Sequence, residues 1–267
     1  MKKYLFLIVL LVLTSCSELS LENEVSVVVN SETTVSEYNS LVEKARWGSR
    51  EAYLKLAHCY HDGVGVKRDF VSMLCMADLA RQYGALTELE EFIKFLPADS
   101  EFKVAFEAIV HIYDREYDMA CVLAERLMNH GCAEGYAIKG ILAIEHGNIA
   151  EFRSLCKLAA DNGSSFGELL LCVKDWKNSL DFDIASLVML SNRIPLANLM
   201  LAAHYAEMTN SEKNYDKMAS YYYLRADKAG LLGKKNARWL LNYYKNGGIR
   251  TIDDEDYARI KKLAGED

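Results

Sequence analysis

Proline is scarce in this sequence, and strand-forming patterns are missing from most of it. The two prolines, Pro97 and Pro195, fall between segments whose apolar residues recur three and four positions apart, so neither interrupts a predicted helix. From residue 41 onward, no run alternates apolar and polar residues in the way that a half-buried strand requires. These absences argue against a sheet-based fold and predict an all-α body for residues 41–267.

Several motifs of common catalytic sites are also absent. The sequence has no His-Glu-x-x-His zinc motif, no phosphate-binding glycine loop and no cysteine pair close enough to share a metal. We therefore expect no catalytic residue, no metal and no cofactor. A weaker alternative is a metal held by His58, His61 and Asp62 near the end of one helix, with His111 supplied by the next repeat.

Basic residues are too few for a polyanion partner. The chain has 31 lysines and arginines against 38 aspartates and glutamates, a formal charge of −7 at pH 7. Nucleic-acid binding depends on a clustered basic face that releases counterions from the phosphates, and the sequence has no such cluster. Nucleic acid is therefore not expected as a partner.

The N-terminus carries a short apolar run. Lys2 and Lys3 precede about ten apolar residues, the arrangement of an export signal, whereas a membrane-spanning helix needs about twenty. The run closes on the sequence LTSC at residues 13–16, which resembles the bacterial lipobox. This resemblance implies that residues 1–15 are a lipoprotein signal peptide and that acyl chains on Cys16 anchor the mature chain to a membrane. The alternative is an ordinary signal followed by an incidental cysteine.

The composition changes at about residue 41. Residues 16–40 are rich in serine, glutamate, threonine and valine without a helical period, so we interpret them as the lipidated cysteine and a flexible tether. Beyond them, helical segments end repeatedly at a glycine, with intervals of 47, 32, 67 and 35 residues. A unit of about 35 residues predicts about six helix-turn-helix repeats stacked into an α-α superhelix, or solenoid. The glycines are Gly84, Gly131, Gly163, Gly230 and Gly265.

Six cysteines follow Cys16. An even number in an exported chain allows disulfides, but a body of this size does not need them for stability. We favour free, buried thiols that act as small apolar residues. They are Cys59, Cys75, Cys121, Cys132, Cys156 and Cys172.

The first repeat has the clearest pattern. Ala57 is small enough to let two helices approach, and Tyr60 fills the gap between them. Gly63 and Gly65 give the loop its conformational freedom, and Asp69 can cap the second helix. The acidic run at residues 253–256 is interpreted in the same way, as the cap and first turn of the last helix.

This pattern resembles the Sel-one-like repeat, a relative of the tetratricopeptide repeat, over roughly residues 42–265. The resemblance implies that the first helix of each repeat lines a concave surface that binds a protein or peptide. Carried over position by position, it points to Glu51, Leu54, His58, His61 and His111 in the early repeats, and to Lys235, Arg238, Asn242 and Lys245 in the last.

These features predict a membrane-anchored, non-catalytic scaffold for protein or peptide binding at the bacterial cell envelope. Ser17, directly after the lipidated cysteine, resembles the outer-membrane sorting class. One alternative is a secreted hydrolase, since cysteine-rich relatives of this repeat have been linked to β-lactams; their paired cysteines would fall at Tyr53 and Arg81 here. Another alternative is an assembly factor for one envelope complex.

The lipid anchor can be tested directly. Intact mass spectrometry of the protein extracted from membranes is expected to show a chain that begins at Cys16 and carries acyl groups, because several acyl chains are needed for stable anchoring. A mature chain without acyl groups on its first cysteine would contradict the anchor.

Overall fold

The computed structural model describes residues 35–86, 89–174, 181–208, 213–248 and 252–266; the predicted signal peptide and Cys16 lie outside these ranges. Within them the chain forms fourteen helices, and its β pairing is one isolated antiparallel bridge between Val173 and Phe182. The predicted all-α fold is confirmed. The helices are α1 (Val35–Arg46), α2 (Arg50–Asp62), α3 (Phe70–Gln82), α4 (Leu89–Phe95), α5 (Glu101–Tyr113), α6 (Tyr117–Asn129), α7 (Glu134–Glu145), α8 (Ile149–Asp161), α9 (Ser165–Leu171), α10 (Ile184–Leu190), α11 (Pro195–Glu207), α12 (Lys213–Lys228), α13 (Lys234–Lys245) and α14 (Asp254–Ala264).

Consecutive helices form six repeats. The pairs α2/α3, α5/α6, α7/α8, α11/α12 and α13/α14 pack as helical hairpins and make up the first, second, third, fifth and sixth repeats. The fourth repeat is reduced to the short helices α9 and α10, with the Val173–Phe182 bridge between them. This arrangement agrees with an α-α superhelix of about six repeats. No helix in the described ranges is both long and apolar enough to span a bilayer.

Local signals in the sequence set the helix ends. The side chain of Asp69 accepts a hydrogen bond from the backbone N–H of Ser72 and so caps α3, as predicted. Asp253 caps α14 in the same way, so the acidic run at residues 253–256 begins a helix. All five predicted terminating glycines have positive φ angles, which a glycine adopts without steric cost.

The structure corrects one boundary of the sequence prediction. α1 begins at Val35, so residues 35–40 are helical and do not belong to a flexible tether. The hydroxyls of Tyr38 and Tyr60 lie 2.7 Å apart and join α1 to α2.

α3 is buried on all sides. Every residue from Phe70 to Ala80 is buried, a run of about three helical turns that leaves no face for solvent. The Phe70 ring lies 5.5 Å from Phe102 of α5 and 5.9 Å from Phe166 of α9, measured between ring centroids. α3 also packs against α11. The second helix of the first repeat is therefore surrounded by the second, fourth and fifth repeats.

The first repeat also contacts the last. The Tyr83 hydroxyl lies 3.3 Å from the carbonyl oxygen of Leu232 and 3.4 Å from that of Leu263. Gly48, in the turn between α1 and α2, leaves so little room that a β-carbon there would lie 3.3 Å from Leu263. The superhelix therefore turns back on its own first repeat.

A buried ion cluster joins the two ends of this closed arrangement. Arg259 of α14 pairs with Asp227 of α12, and the side chains are only 3% and 2% exposed. Arg259 also binds Asp256 at 2.5 Å, and Arg46 of α1 lies 3.5 Å from Asp227 and 3.6 Å from Asp256. The cluster therefore links α1, α12 and α14.

Breaking this pair is expected to be costly. Asp227→Asn leaves the Arg259 guanidinium buried with a weakened partner, so we expect a loss of about 3–5 kcal/mol in the free energy of unfolding, measured by urea denaturation. The matched control Lys157→Ala, which breaks an exposed pair with Asp161, is expected to cost about 0–1 kcal/mol. Equal losses in the two variants would show that the buried pair does not hold the ends together.

Candidate binding surfaces

The structure covers much of the binding face predicted for the first repeat. Leu54 and His61 are buried. The His58 ring packs against Phe92 of α4 with centroids 5.0 Å apart, and burial lowers the pKa of His58. His61 Nε2 lies 2.7 Å from the Ser100 hydroxyl at the start of α5. Part of the expected groove is therefore filled by α4 and α5, which the helix pattern alone did not reveal.

The two remaining early residues stay accessible. Glu51 is exposed, and its hydrogen bond with Arg50 lowers the pKa of the Glu51 carboxyl. His111 is half-buried, with its Nδ1 2.6 Å from a carboxylate oxygen of Glu116. Each of the two side chains therefore pairs with a neighbour in its own repeat.

The histidines do not form the alternative metal site. His61 Nδ1 lies 2.5 Å from an Asp62 oxygen, so together with the Ser100 contact both ring nitrogens of His61 are engaged. Throughout the described ranges, no group of three or more His, Cys, Asp or Glu side chains is placed to hold a metal ion.

The first helices of later repeats are also enclosed. In α11, every residue from Leu196 to Ala202 is buried, about two full turns. In α7, the residues Ile138, Gly140, Ile141, Leu142 and Ala143 are buried, as are most of those before them. A helix lining an open groove would leave one face to solvent. The inner side of the superhelix is therefore packed at these repeats.

The last repeat keeps its predicted surface. Lys235, Arg238, Asn242 and Lys245 are all exposed, and their spacing of three and four positions places them on one face of α13. Arg238 Nε donates to the carbonyl oxygen of Ala264 at 2.9 Å, and Lys245 Nζ lies 2.5 Å from a Glu266 oxygen. Two of these residues thus also hold the end of α14.

Two aromatic residues beside this face were not predicted from the sequence. Trp239 and Tyr243 stack along α13 with ring centroids 5.6 Å apart, and Trp239 also contacts Tyr223 of α12 at 5.2 Å. Their i, i+4 spacing next to Arg238 and Asn242 was the available signal.

The tyrosine run of α12 divides between core and surface. Tyr222 and Tyr223 are buried, whereas Tyr221 is 53% exposed. Of these three rings, Tyr221 is therefore the one accessible to a ligand.

The cysteines are unpaired in the structure. All six of the described cysteines are free, and all but Cys121 are buried. The positions where cysteine-rich relatives of the repeat carry paired cysteines have other roles. Tyr53 stacks on Tyr83, and Arg81 binds Asp78.

One serine motif runs against the expectation of no catalytic residue. Residues 163–167 match the Gly-x-Ser-x-Gly spacing of nucleophile turns. That motif normally follows a strand, whereas here it joins α8 to α9. The Ser165 hydroxyl donates to a carboxylate oxygen of Asp69, 96 residues away. The contact therefore ties the fourth repeat to the first.

Comparison with known proteins adds no assignment. No protein family matches the chain, and a search of curated proteins gave no match. The resemblance to Sel-one-like repeats thus stays a prediction.

Thiol reactivity should follow burial. Half-buried Cys121 is expected to react first with a thiol reagent at pH 7.5, and Cys156 and Cys172 only on unfolding. Burial raises the pKa of Cys156 to about 12 and that of Cys172 to about 11. Because these folded pKa values exceed the unfolded value near 9, their contribution to stability is complete below about pH 9 and declines as the pH rises toward 11. Rapid labelling of Cys156 in the folded protein would contradict its burial.

Proposed function

We propose that this protein is a lipid-anchored, non-catalytic helical scaffold that binds a protein or peptide partner at the bacterial cell envelope. The observation that carries the proposal is the row of exposed polar and basic side chains on α13, in a fold whose other first helices are largely enclosed. Anchoring rests on the N-terminal sequence and Cys16, and an outer-membrane location rests on Ser17.

The state of the reactive side chains supports binding over catalysis. His61 is hydrogen-bonded on both ring nitrogens, and Ser165 donates to a carboxylate with a structural role, since Asp69 also caps α3. Both side chains therefore join helices of different repeats, His61 to the start of α5 and Ser165 to the start of α3.

A membrane-based experiment tests the scaffold. Full-length tagged protein is crosslinked in native membranes, purified and analysed by quantitative mass spectrometry beside the variant Cys16→Ser, which retains the repeat domain but cannot take the lipid. Wild type is expected to enrich at least one envelope protein that the variant does not. If nothing is enriched over an unrelated lipoprotein, the scaffold proposal is wrong. One partner at constant stoichiometry would favour an assembly factor.

A β-lactam hydrolase is the second candidate, because the Gly-x-Ser-x-Gly spacing places Ser165 at a helix start. The purified protein is expected to show no nitrocefin turnover above buffer. Turnover in wild type that disappears in Ser165→Ala, with an unchanged circular dichroism spectrum, would overturn the non-catalytic assignment. Turnover that survives in Ser165→Ala would indicate another site or a contaminant, which an independently prepared sample separates.

A further inference from the structure

The charge of α13 differs from that of the chain around it. The helix has four basic side chains, Lys234, Lys235, Arg238 and Lys245, and no acidic one, whereas the whole chain carries a formal charge of −7. Its first turn contains two lysines and no acid, which is opposite to the arrangement that the helix dipole favours. A local rule broken in this way commonly marks a functional surface.

The basic side chains of α13 differ in the contacts that they already make within the protein. Lys234 Nζ lies 5.3 Å from the centre of the Tyr83 ring and so faces the protein. Arg238 uses Nε to bind Ala264, but a guanidinium has further N–H donors that can take a carboxylate. Lys235 is exposed. Lys235 and Arg238, one turn apart, are the pair best placed to meet an anionic ligand.

The aromatic pair gives this surface a fixed apolar side. Trp239 and Tyr243 are each partly buried, and Trp239 rests on Tyr223, so the rings are held before any ligand arrives. Rigid aromatic side chains lose little conformational entropy on binding and are frequent anchors in protein interfaces. Asn242 is exposed about one turn after Arg238 on the same helix and can bond a peptide backbone.

The position of α13 in the superhelix leaves this surface available. α13 packs mainly against α12 and α14. In the earlier repeats the corresponding helices are largely enclosed, as the buried run in α11 illustrates. The exposed side of α13 is therefore where another segment of protein can lie along the array.

We propose that an acidic segment of a partner protein docks along α13, with its carboxylates on Lys235 and Arg238 and an apolar residue against Trp239 and Tyr243. The proposal rests on the scaffold function proposed above and names the chemistry of its partner. Charge complementarity supplies specificity and speeds association, and the aromatic pair supplies the anchored contact.

Site-specific photo-crosslinking of the full-length, lipidated protein tests this docking. A benzophenone amino acid is placed at Asn242 and, as a control on another exposed surface, at Asn129 of α6. The Asn242 probe is expected to capture a peptide rich in aspartate and glutamate. Adding Lys235→Glu should lower the yield roughly tenfold, because reversing one charge places like charges together. The matched Arg153→Glu on α8 should leave the yield unchanged.

The outcomes separate this inference from the scaffold itself. Changing the captured partner's acidic residues to lysine should restore crosslinking to the Lys235→Glu protein. Capture of a non-acidic segment or of a second copy of this chain, or a yield insensitive to Lys235→Glu, overturns the acidic-segment proposal. A partner captured only from Asn129 also overturns it while leaving the scaffold intact. No capture from either position overturns both. Circular dichroism of each variant confirms that the fold is retained.

Discussion

The burial of α3 is the constraint on which the rest of the fold depends. A helix with apolar residues along one face can bury them against one neighbouring layer. The run from Phe70 to Ala80 is buried on every side and so needs neighbours all around it. Helices from the second, fourth and fifth repeats supply that cover. The charged residue within this run is also accommodated, because Asp78 binds Arg81 and Gln82. The curvature of the whole array follows from this one helix.

The closed shape changes which part of the predicted binding surface is accessible. In an open array the first helices would together line a groove, and His58, His61 and Leu54 would belong to it. Here the first repeat sits inside the curve, so Leu54 and His61 are in the interior and α4 lies over His58. The predicted surface that remains accessible is on α13, which packs mainly against α12 and α14. The binding residues predicted in the last repeat therefore keep their exposure.

Local features could be predicted from the sequence, and long-range ones could not. Short segments of the sequence predict the glycines that end the helices, the cap at Asp69 and the number of repeats. The structure agrees with these predictions. The contact of Tyr83 with Leu263 spans 180 residues and leaves no local pattern. The burial of His61 depends on Ser100 and Phe102 at the start of α5, about 40 residues along the chain, so helix spacing does not reveal it either. The first part of α1, residues 35–40, was assigned to the tether because it is mostly exposed and resembles a tether in composition.

The contacts of Tyr83 and Arg46 with the last hairpin also affect the order of folding. In a linear array each repeat can fold on its predecessor as the chain emerges. Here, Asp227 and Arg259 follow Arg46 by 181 and 213 residues, so α1 and α3 cannot meet their final partners until that length of chain has been made. Contacts this distant slow folding and leave apolar surface exposed in the interval. If the chain is exported, the segment from α1 to α14 must cross the membrane before these contacts can form, and the apolar surface of α3 would need the longest protection by a chaperone.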